Sequence, residues 1–280
     1  MAKFKIKRQA DTDFTEQQLP HNRIDAFFDC IKLRWREFLI IGFAIVLSML
    51  PIFILGVMRD NMIADAINKN EIENARYSLL FFDVISILFY LLPAVAFAGA
   101  FRVIRNIAWA DVVFFKEDYK DGIKLNFKIF AIVFLLLGVG IFFVDFLSLS
   151  ASVTILLGMP TGVSVFLLIP IAIFIIVQGT IYNIGFFGAL KNGVYLFSKS
   201  ILRSVAASIV TVFPMAFSLI SNTIVKHICL IMYMLIFMPW VCLGLFMLGC
   251  AVLDKHINIY SHPEIVDKGL AKFEEKEELS

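Results

Sequence analysis

The sequence predicts an all-α polytopic membrane protein with six transmembrane helices, arranged as three hairpins that each follow a cytoplasmic amphipathic helix. Composition is the first indication, because 60% of the residues are hydrophobic and only 17% are charged. A soluble domain is about half apolar and about a quarter charged. The second indication is that the apolar residues form continuous runs without period-two alternation. In a bilayer, such runs favour helices over a β-barrel.

Six apolar stretches are long enough to cross a bilayer, since a span needs about 20 residues for a hydrocarbon core about 30 Å thick. They are residues 38–57, 78–100, 129–149, 163–182, 204–223 and 228–253. We therefore expect a cytoplasmic leader with an amphipathic helix at 1–37, a six-helix transmembrane domain at 38–253 and a polar cytoplasmic tail at 254–280.

Basic residues predict the orientation, because Lys and Arg near the ends of spans stay on the cytoplasmic side. Residues 1–37, 101–128, 183–203 and the chain after residue 253 together hold 21 of the 25 Lys and Arg residues. The connections on the opposite side hold only Arg59, Lys69, Arg76 and Lys226. We expect a multi-pass protein of the cell membrane with both termini in the cytoplasm.

Three short segments with related sequences precede the first, third and fifth spans. They read DCIKL at 29–33, DGIKL at 121–125 and NGVYL at 192–196. Apolar residues around each segment recur at intervals of three and four, as do Ile24, Phe27 and Ile31 around the first. This spacing, with basic residues among the polar positions, predicts helices that lie at the membrane surface. Residues 58–77 are expected to form a further short interfacial helix on the opposite side.

Acidic and aromatic residues within the spans are the candidate solute-binding residues. Asp83 and Asp145 each lie about five residues from the outer end of a predicted span, where two carboxylates at similar depth could bind a cation or a polar solute. The alternative is that both acids lie at headgroup level with arginine or water partners. Trp240 is near the centre of a span, where its indole N–H needs a partner.

Basic residues on the expected cytoplasmic side are the candidate lipid- or partner-binding residues. Arg102, Arg105 and Asn106 follow the second span, and Lys116, Lys120 and Lys124 precede the third. Such residues could bind a phosphate-bearing lipid or an acidic surface of a partner. Positive-inside anchoring alone is the alternative explanation.

No motif in the sequence indicates catalysis, a metal site or a cofactor. The four His residues are scattered, and HExxH, GxSxG, P-loop and GxGxxG sequences are absent. The four Cys residues contain no CxxC pair, so neither a disulfide framework nor a zinc site is indicated. We expect a non-enzymatic protein without cofactors. A net charge of only +2 argues against nucleic-acid binding.

Four segments of the chain together support a family resemblance. They read FFDCIKLRWREFLIIG, LLPAVAFAGAFRVIRNIAWADVVFFKEDYKDGIKLNFKIF, ALKNGVYLFSKSILRSV and LDKHI. These segments resemble the YesL-like family of bacterial integral membrane proteins, in which a proline-containing span end precedes an Arg-rich exit, an acidic-aromatic segment and a Lys-x-Asn-aromatic-Lys motif. The matching positions here are Pro93, Arg102, Arg105, Lys124, Asn126, Phe127 and Lys128. Residues 58–77 and the acidic tail depart from the family pattern.

Two functional hypotheses follow. The resemblance implies a context of sugar uptake, since members of that family are often found with carbohydrate ABC importers of Gram-positive bacteria. We therefore expect an accessory or regulatory partner of a carbohydrate ABC import system, which touches the lipid bilayer and ABC transporter subunits. The alternative is a small-solute transporter or channel that uses Asp83 and Asp145 on the outer side.

Overall fold

The computed structural model describes residues 19–150, 163–220 and 222–271, and within these ranges it is helical without any β-strand. Two π-helical turns, Ser164–Leu168 and Asp254–Asn258, and a 3₁₀ segment, Phe213–Leu219, adjoin the longer helices. Two single turns, Ile259–Ser261 and Pro263–Ile265, follow the second π-helical turn. The helices are α1 Arg23–Leu33, α2 Trp35–Asn68, α3 Ile72–Phe89, α4 Leu91–Ala108, α5 Phe115–Ser150, α6 Ile169–Ile181, α7 Phe186–Lys199, α8 Ile201–Val212 and α9 Thr223–Leu253.

Five helical segments are long and apolar enough to cross a membrane, so the described part of the chain has the character of a multi-pass membrane protein. They are Trp35–Ala66, Tyr77–Ala108, Phe115–Val144, Ser164–Ile181 and Thr223–Ser261. A sixth span results if α7 and the segment Ile201–Phe217 count together, although their axes are bent by 109°. Pro214 lies just beyond the end of α8 and lacks the backbone N–H that would continue its hydrogen bonding, although α2 and α9 continue through Pro51 and Pro239.

Residues 58–77 do not form the short interfacial helix that the sequence predicted. They lengthen the two neighbouring helices instead, since α2 continues to Asn68 and α3 begins at Ile72. Asn70 has a φ angle of 58°, a left-handed conformation that Asn adopts more readily than most residues. The tight turn at Asn70 therefore joins two extended helices on this side of the molecule.

Two of the three predicted amphipathic segments are separate helices, and the third is part of a span. Helix α1 ends at Leu33 and α2 starts at Trp35, while α7 ends at Lys199 before the bend at Ser200. The middle segment forms the first turns of α5, which continues without a break from Phe115 to Ser150. No proline or other helix-breaking residue separates its polar and apolar parts.

The start of α5 packs closely against the middle of α4, which explains why its apolar side faces protein. The ring of Tyr119 lies on Gly99, where an added Cβ atom would be only 2.8 Å from the ring. One turn further on, a Cβ atom at Gly122 would be 2.7 Å from the carbonyl oxygen of Ala98. Small residues allow helices in membranes to approach this closely.

Helix α4 forms the centre of the molecule, because most of its residues from Pro93 to Ala108 are buried. Helix α9 contributes the other large share of the core, including Leu243, Phe246 and Leu253. Helices α2 and α9 cross where Gly42 lies against the backbone of Leu235. The hydrophobic core therefore runs along α4 and α9, and the remaining helices surround them.

Both described ends of the chain meet on one side of the molecule, which we call the terminal face. The backbone N–H of Ala271 donates a 3.0 Å hydrogen bond to the carbonyl oxygen of Pro20. Gly269 has a φ angle of 86° and passes close to the carbonyl group of Ala108 at the end of α4. Residues 254–271, in the region predicted as a polar tail, therefore cover the ends of α1 and α4.

Candidate functional site

Asp83 faces the protein interior, where it forms an ion pair. The side chain is 5% exposed, and Oδ1 accepts a 3.1 Å hydrogen bond from Nη1 of Arg59 on α2. Arg59 also lies 3.4 Å from Asp60, which pairs in turn with Lys226 on α9. These ion pairs thus connect α2, α3 and α9. Their chemistry is that of an ion-pair network in which each carboxylate already has a basic partner.

Asp145, the second predicted acid, lies within α5, but its side chain is outside the described residues. Its position relative to Asp83 therefore remains a prediction from the sequence.

Trp240 lines a lateral groove between α8 and α9 that has a volume of about 750 Å³. Phe237 meets it edge-on, with ring centroids 5.6 Å apart. Tyr233 continues the aromatic surface towards Phe213, at a centroid distance of 6.1 Å. The lining is apolar apart from Arg203, Tyr233 and the indole N–H of Trp240. Such a groove suits an apolar chain better than a small polar solute.

Arg105 and Asn106 lie together at the end of α4, as the sequence suggested, but their polar groups bind the protein itself. The guanidinium group of Arg105 donates to Oδ1 of Asn106 at 2.9 Å and to the carbonyl oxygen of Thr180 at 3.3 Å. It also stacks over the ring of Trp109 at 4.9 Å. These contacts give Arg105 a role in holding α4 against the end of α6.

Arg102 precedes this pair by one turn on the same side of α4, and its Cβ atom lies against Gly122 of α5. Its Nε atom is buried and has no hydrogen-bond partner among the residues that the structure describes. The three predicted residues therefore lie within about one turn of α4, and a hydrogen bond joins Arg105 to Asn106.

Lys116, Lys120 and Lys124 are exposed on the first turns of α5, and Lys128 continues the same line at intervals of four residues. We call these four residues the lysine stripe. Glu117 and Asp121 precede Lys120 and Lys124 by three residues, yet no lysine of the stripe forms an ion pair with any residue in the described ranges. Residues four apart are neighbours on a helix, so the stripe is a row of like charges.

The sequence did not reveal a polar network that connects the two ends of the chain. Asp254 follows α9 and is 7% exposed. It pairs with Arg23 of α1 and accepts a 2.6 Å hydrogen bond from Asn258, which in turn binds the hydroxyl group of Tyr182. Arg23 and Asp254 are 231 positions apart, and no local sequence pattern indicates a pair at such a separation.

A second part of this network encloses Trp109. Lys268 lies over the indole ring at 4.5 Å and forms a 2.9 Å ion pair with Asp111. Arg105 approaches the same ring, so Trp109 lies between two cations from different parts of the chain. Such cation–π contacts are attractive because the face of an indole ring is electron-rich. The terminal segment is therefore fixed to the α4–α5 connection.

The described residues contain no cluster of three or more His, Cys, Asp or Glu side chains suited to a metal ion. Burial, together with the negative charge of Asp29, raises the pKa of the Cys30 thiol to about 12. A thiol with such a pKa is protonated at neutral pH and is a poor nucleophile. Cys30 donates instead to the carbonyl oxygen of Ile107 at 3.8 Å.

Comparisons with protein-family models, with curated proteins and with solved structures found no match to this chain.

Proposed function

We propose that the protein is a non-enzymatic membrane protein that acts as an accessory or regulatory partner of a transport system, and that the lysine stripe is its docking surface. The main observation in support of this docking surface is a row of four exposed lysines without an ion-pair partner in the described ranges. Like charges four residues apart destabilise a helix by about 0.2–0.5 kcal/mol per pair. An acidic partner surface would remove this cost and add attraction.

The height of the stripe favours a protein partner over lipid headgroups. At a rise of 1.5 Å per residue, Lys116 stands about 20 Å and Lys120 about 14 Å from Ile129, where the apolar run begins. The headgroup region on each side of the hydrocarbon core is only about 5–8 Å thick. By this measure Lys124 and Lys128 are the members of the stripe nearest to the headgroups, and Lys116 and Lys120 are the members best placed to meet a protein partner.

The positive-inside rule supports a cytoplasmic terminal face, because Arg23, Arg105 and Lys268 lie there. The resemblance to the YesL-like family supports a carbohydrate ABC importer of a Gram-positive bacterium as the partner system. The ion pair between Asp83 and Arg59 gives less support to the alternative function, solute transport through the outer-side acids, because a transported cation would have to displace the guanidinium group.

Co-purification in a mild detergent, followed by mass spectrometry, tests the proposal without a guess about substrate. We expect ABC transporter subunits to accompany the native protein. The triple variant Lys116→Glu, Lys120→Glu and Lys124→Glu should recover at least tenfold less of these subunits. The reason is that like-charge contacts across an interface are strongly unfavourable.

The matched control carries the same charge change at Lys32, Lys191 and Lys255, which are also exposed on or beside the terminal face. It should retain the partner. Recovery of the native protein as a lone species in several detergents, or equal losses in both triple variants, would count against the lysine stripe as a docking surface.

A further inference from the structure

The groove between α8 and α9 arises because these neighbours diverge. Helix α8 packs mainly on α6 and on the π-helical turn before it, and it touches α9 only briefly. Its buried face carries Ser204 and Ser208, whose hydroxyl groups donate to the carbonyl oxygens of Ser200 and Ser204 within the helix. These hydroxyl groups therefore need no hydrogen-bond partner on α9. The opposite face of α8 borders the open groove.

The groove has the dimensions of a lipid chain within one leaflet. Arg203 in the first turn of α8 and Phe213 after its end are about 15 Å apart by helix rise. Half of a hydrocarbon core about 30 Å thick is also about 15 Å. Small residues such as Ala206 and Gly244 line the groove between Arg203 and Phe213. Tyr233, Phe237 and Trp240 form its aromatic wall.

One end of the groove carries a cation, which distinguishes this apolar surface from ordinary lipid-facing surface. Arg203 is exposed and forms no ion pair with any described residue. Phe27 of the surface helix α1 lies on Gly244 near this end, so the cation is at the side of the terminal face. Guanidinium groups bind phosphate through two parallel hydrogen bonds.

We propose that this groove binds one anionic phospholipid, with an acyl chain along α8 and α9 and its phosphate group on Arg203. The apolar lining accommodates the chain, and the cation selects the headgroup. This lipid site is independent of the lysine stripe, because the two surfaces share no residue.

Quenching of Trp240 fluorescence by brominated lipids tests the proposal, because bromine atoms quench an indole ring only at close range. The full-length protein is placed in phosphatidylcholine vesicles that contain graded fractions of brominated phosphatidylglycerol or brominated phosphatidylcholine. The Trp240 signal is the difference between the native protein and Trp240→Phe. We expect half-maximal quenching at an about fivefold lower fraction of the anionic lipid.

Two variants separate the headgroup contact from the chain contact. Arg203→Gln should abolish the preference for the anionic lipid, so that both lipids reach half-maximal quenching at about the same fraction. Arg203→Lys should retain most of the preference. Ala206→Phe fills the groove and should decrease quenching by both lipids. The controls are Lys191→Gln and Val194→Phe, at exposed positions of α7 outside the groove, and neither should change the quenching.

Equal quenching of the native protein by both brominated lipids would overturn the proposal, because the groove would then take any chain without a headgroup site. Absence of quenching by either lipid would also overturn it and would indicate that protein, such as a second copy of this chain, covers the groove. Loss of preference in Lys191→Gln as well as in Arg203→Gln would attribute the effect to general surface charge. Gel filtration of each variant checks that it is folded.

Discussion

Asp83 and Arg59 show how an acid within a span is accommodated by its surroundings. Removing a carboxylate from water is costly, and a basic partner with good geometry offsets much of the cost. The 3.1 Å contact between Nη1 of Arg59 and Oδ1 of Asp83 supplies this partner. Because Arg59 is about one-third exposed, solvent screens the interaction, and we expect a modest contribution to stability.

A double-mutant cycle of Asp83→Asn and Arg59→Gln measures this contribution. Each single change should lower the free energy of unfolding, since it removes the 3.1 Å contact between the guanidinium group and the buried carboxylate. The double variant should lose less free energy of unfolding than the two single variants lose together, and the difference, the coupling energy, should be about 1 kcal/mol. Thermal unfolding in detergent provides the measurement. The exposed pair of Lys69 and Asp65 is the control, and its coupling energy should be smaller, because solvent screens two exposed charges. Equal coupling in both pairs would show that burial of Asp83 adds nothing.

The contact between α4 and α5 depends on glycine at one position and not at another on the same helix. A Cβ atom at Gly122 would collide with the backbone of α4, whereas a Cβ atom at Gly140 has no neighbour within 4 Å among the described residues. Overpacking a tight contact costs about 1–3 kcal/mol. Replacing glycine by alanine in an open helix position gains about 0.5–1 kcal/mol.

Gly122→Ala should therefore lower the melting temperature, and Gly140→Ala should leave it unchanged or raise it slightly. Both variants are measured in the same detergent by differential scanning fluorimetry. A lower melting temperature for both would mean that the effect comes from the glycine-to-alanine change itself and not from the α4–α5 contact.

Helix α5 also shows where inference from the sequence reaches its limit. The three-and-four spacing of Phe115 and Tyr119 predicts a helix with one apolar side, and such a helix is present. Periodicity does not say what covers that side. The sequence alone suggested the membrane surface, whereas in the structure Tyr119 packs on Gly99 of α4. The same limit applies to Arg105, whose charge predicted a binding role but whose donors reach Asn106 and Thr180.

The spans and the terminal network differ in how far the sequence predicts them. The continuous apolar run at 228–253 predicted α9 to within five residues, because burial in lipid requires only composition and length. Helix α2, in contrast, continues eleven residues beyond the predicted end of its span at residue 57. The pairing of Arg23 with Asp254, and of Asp111 with Lys268, depends on residues 231 and 157 positions apart. A single sequence holds no signal for such pairs, since each residue alone resembles an ordinary charge in a polar segment.

The terminal network predicts that α1 and the segment after α9 lose protection together. Asp254→Ala removes the acceptor shared by Arg23, Asn258 and the backbone N–H of Asp267. Hydrogen exchange in residues 23–33 and 259–271 should become at least tenfold faster, because both segments depend on the same carboxylate. Amide exchange followed by mass spectrometry provides the measurement.

The control for this prediction is Glu264→Ala, which removes an exposed acid of the same segment whose contact is His262 at 3.3 Å. It should leave the exchange of α1 unchanged. Faster exchange confined to residues 259–271 in Asp254→Ala would contradict the view that Asp254 couples the two ends.

The most direct test of the docking proposal is site-specific photocrosslinking from the lysine stripe in intact cells. A photoreactive amino acid at Lys120 should form adducts with a subunit of a transport system. The same group at Leu125, which is 66% exposed on another side of α5, should form adducts with lipid. Adducts at position 120 should also disappear when Lys116 and Lys124 are changed to Glu. Identical adducts at both positions, or none with protein at position 120, would contradict the account.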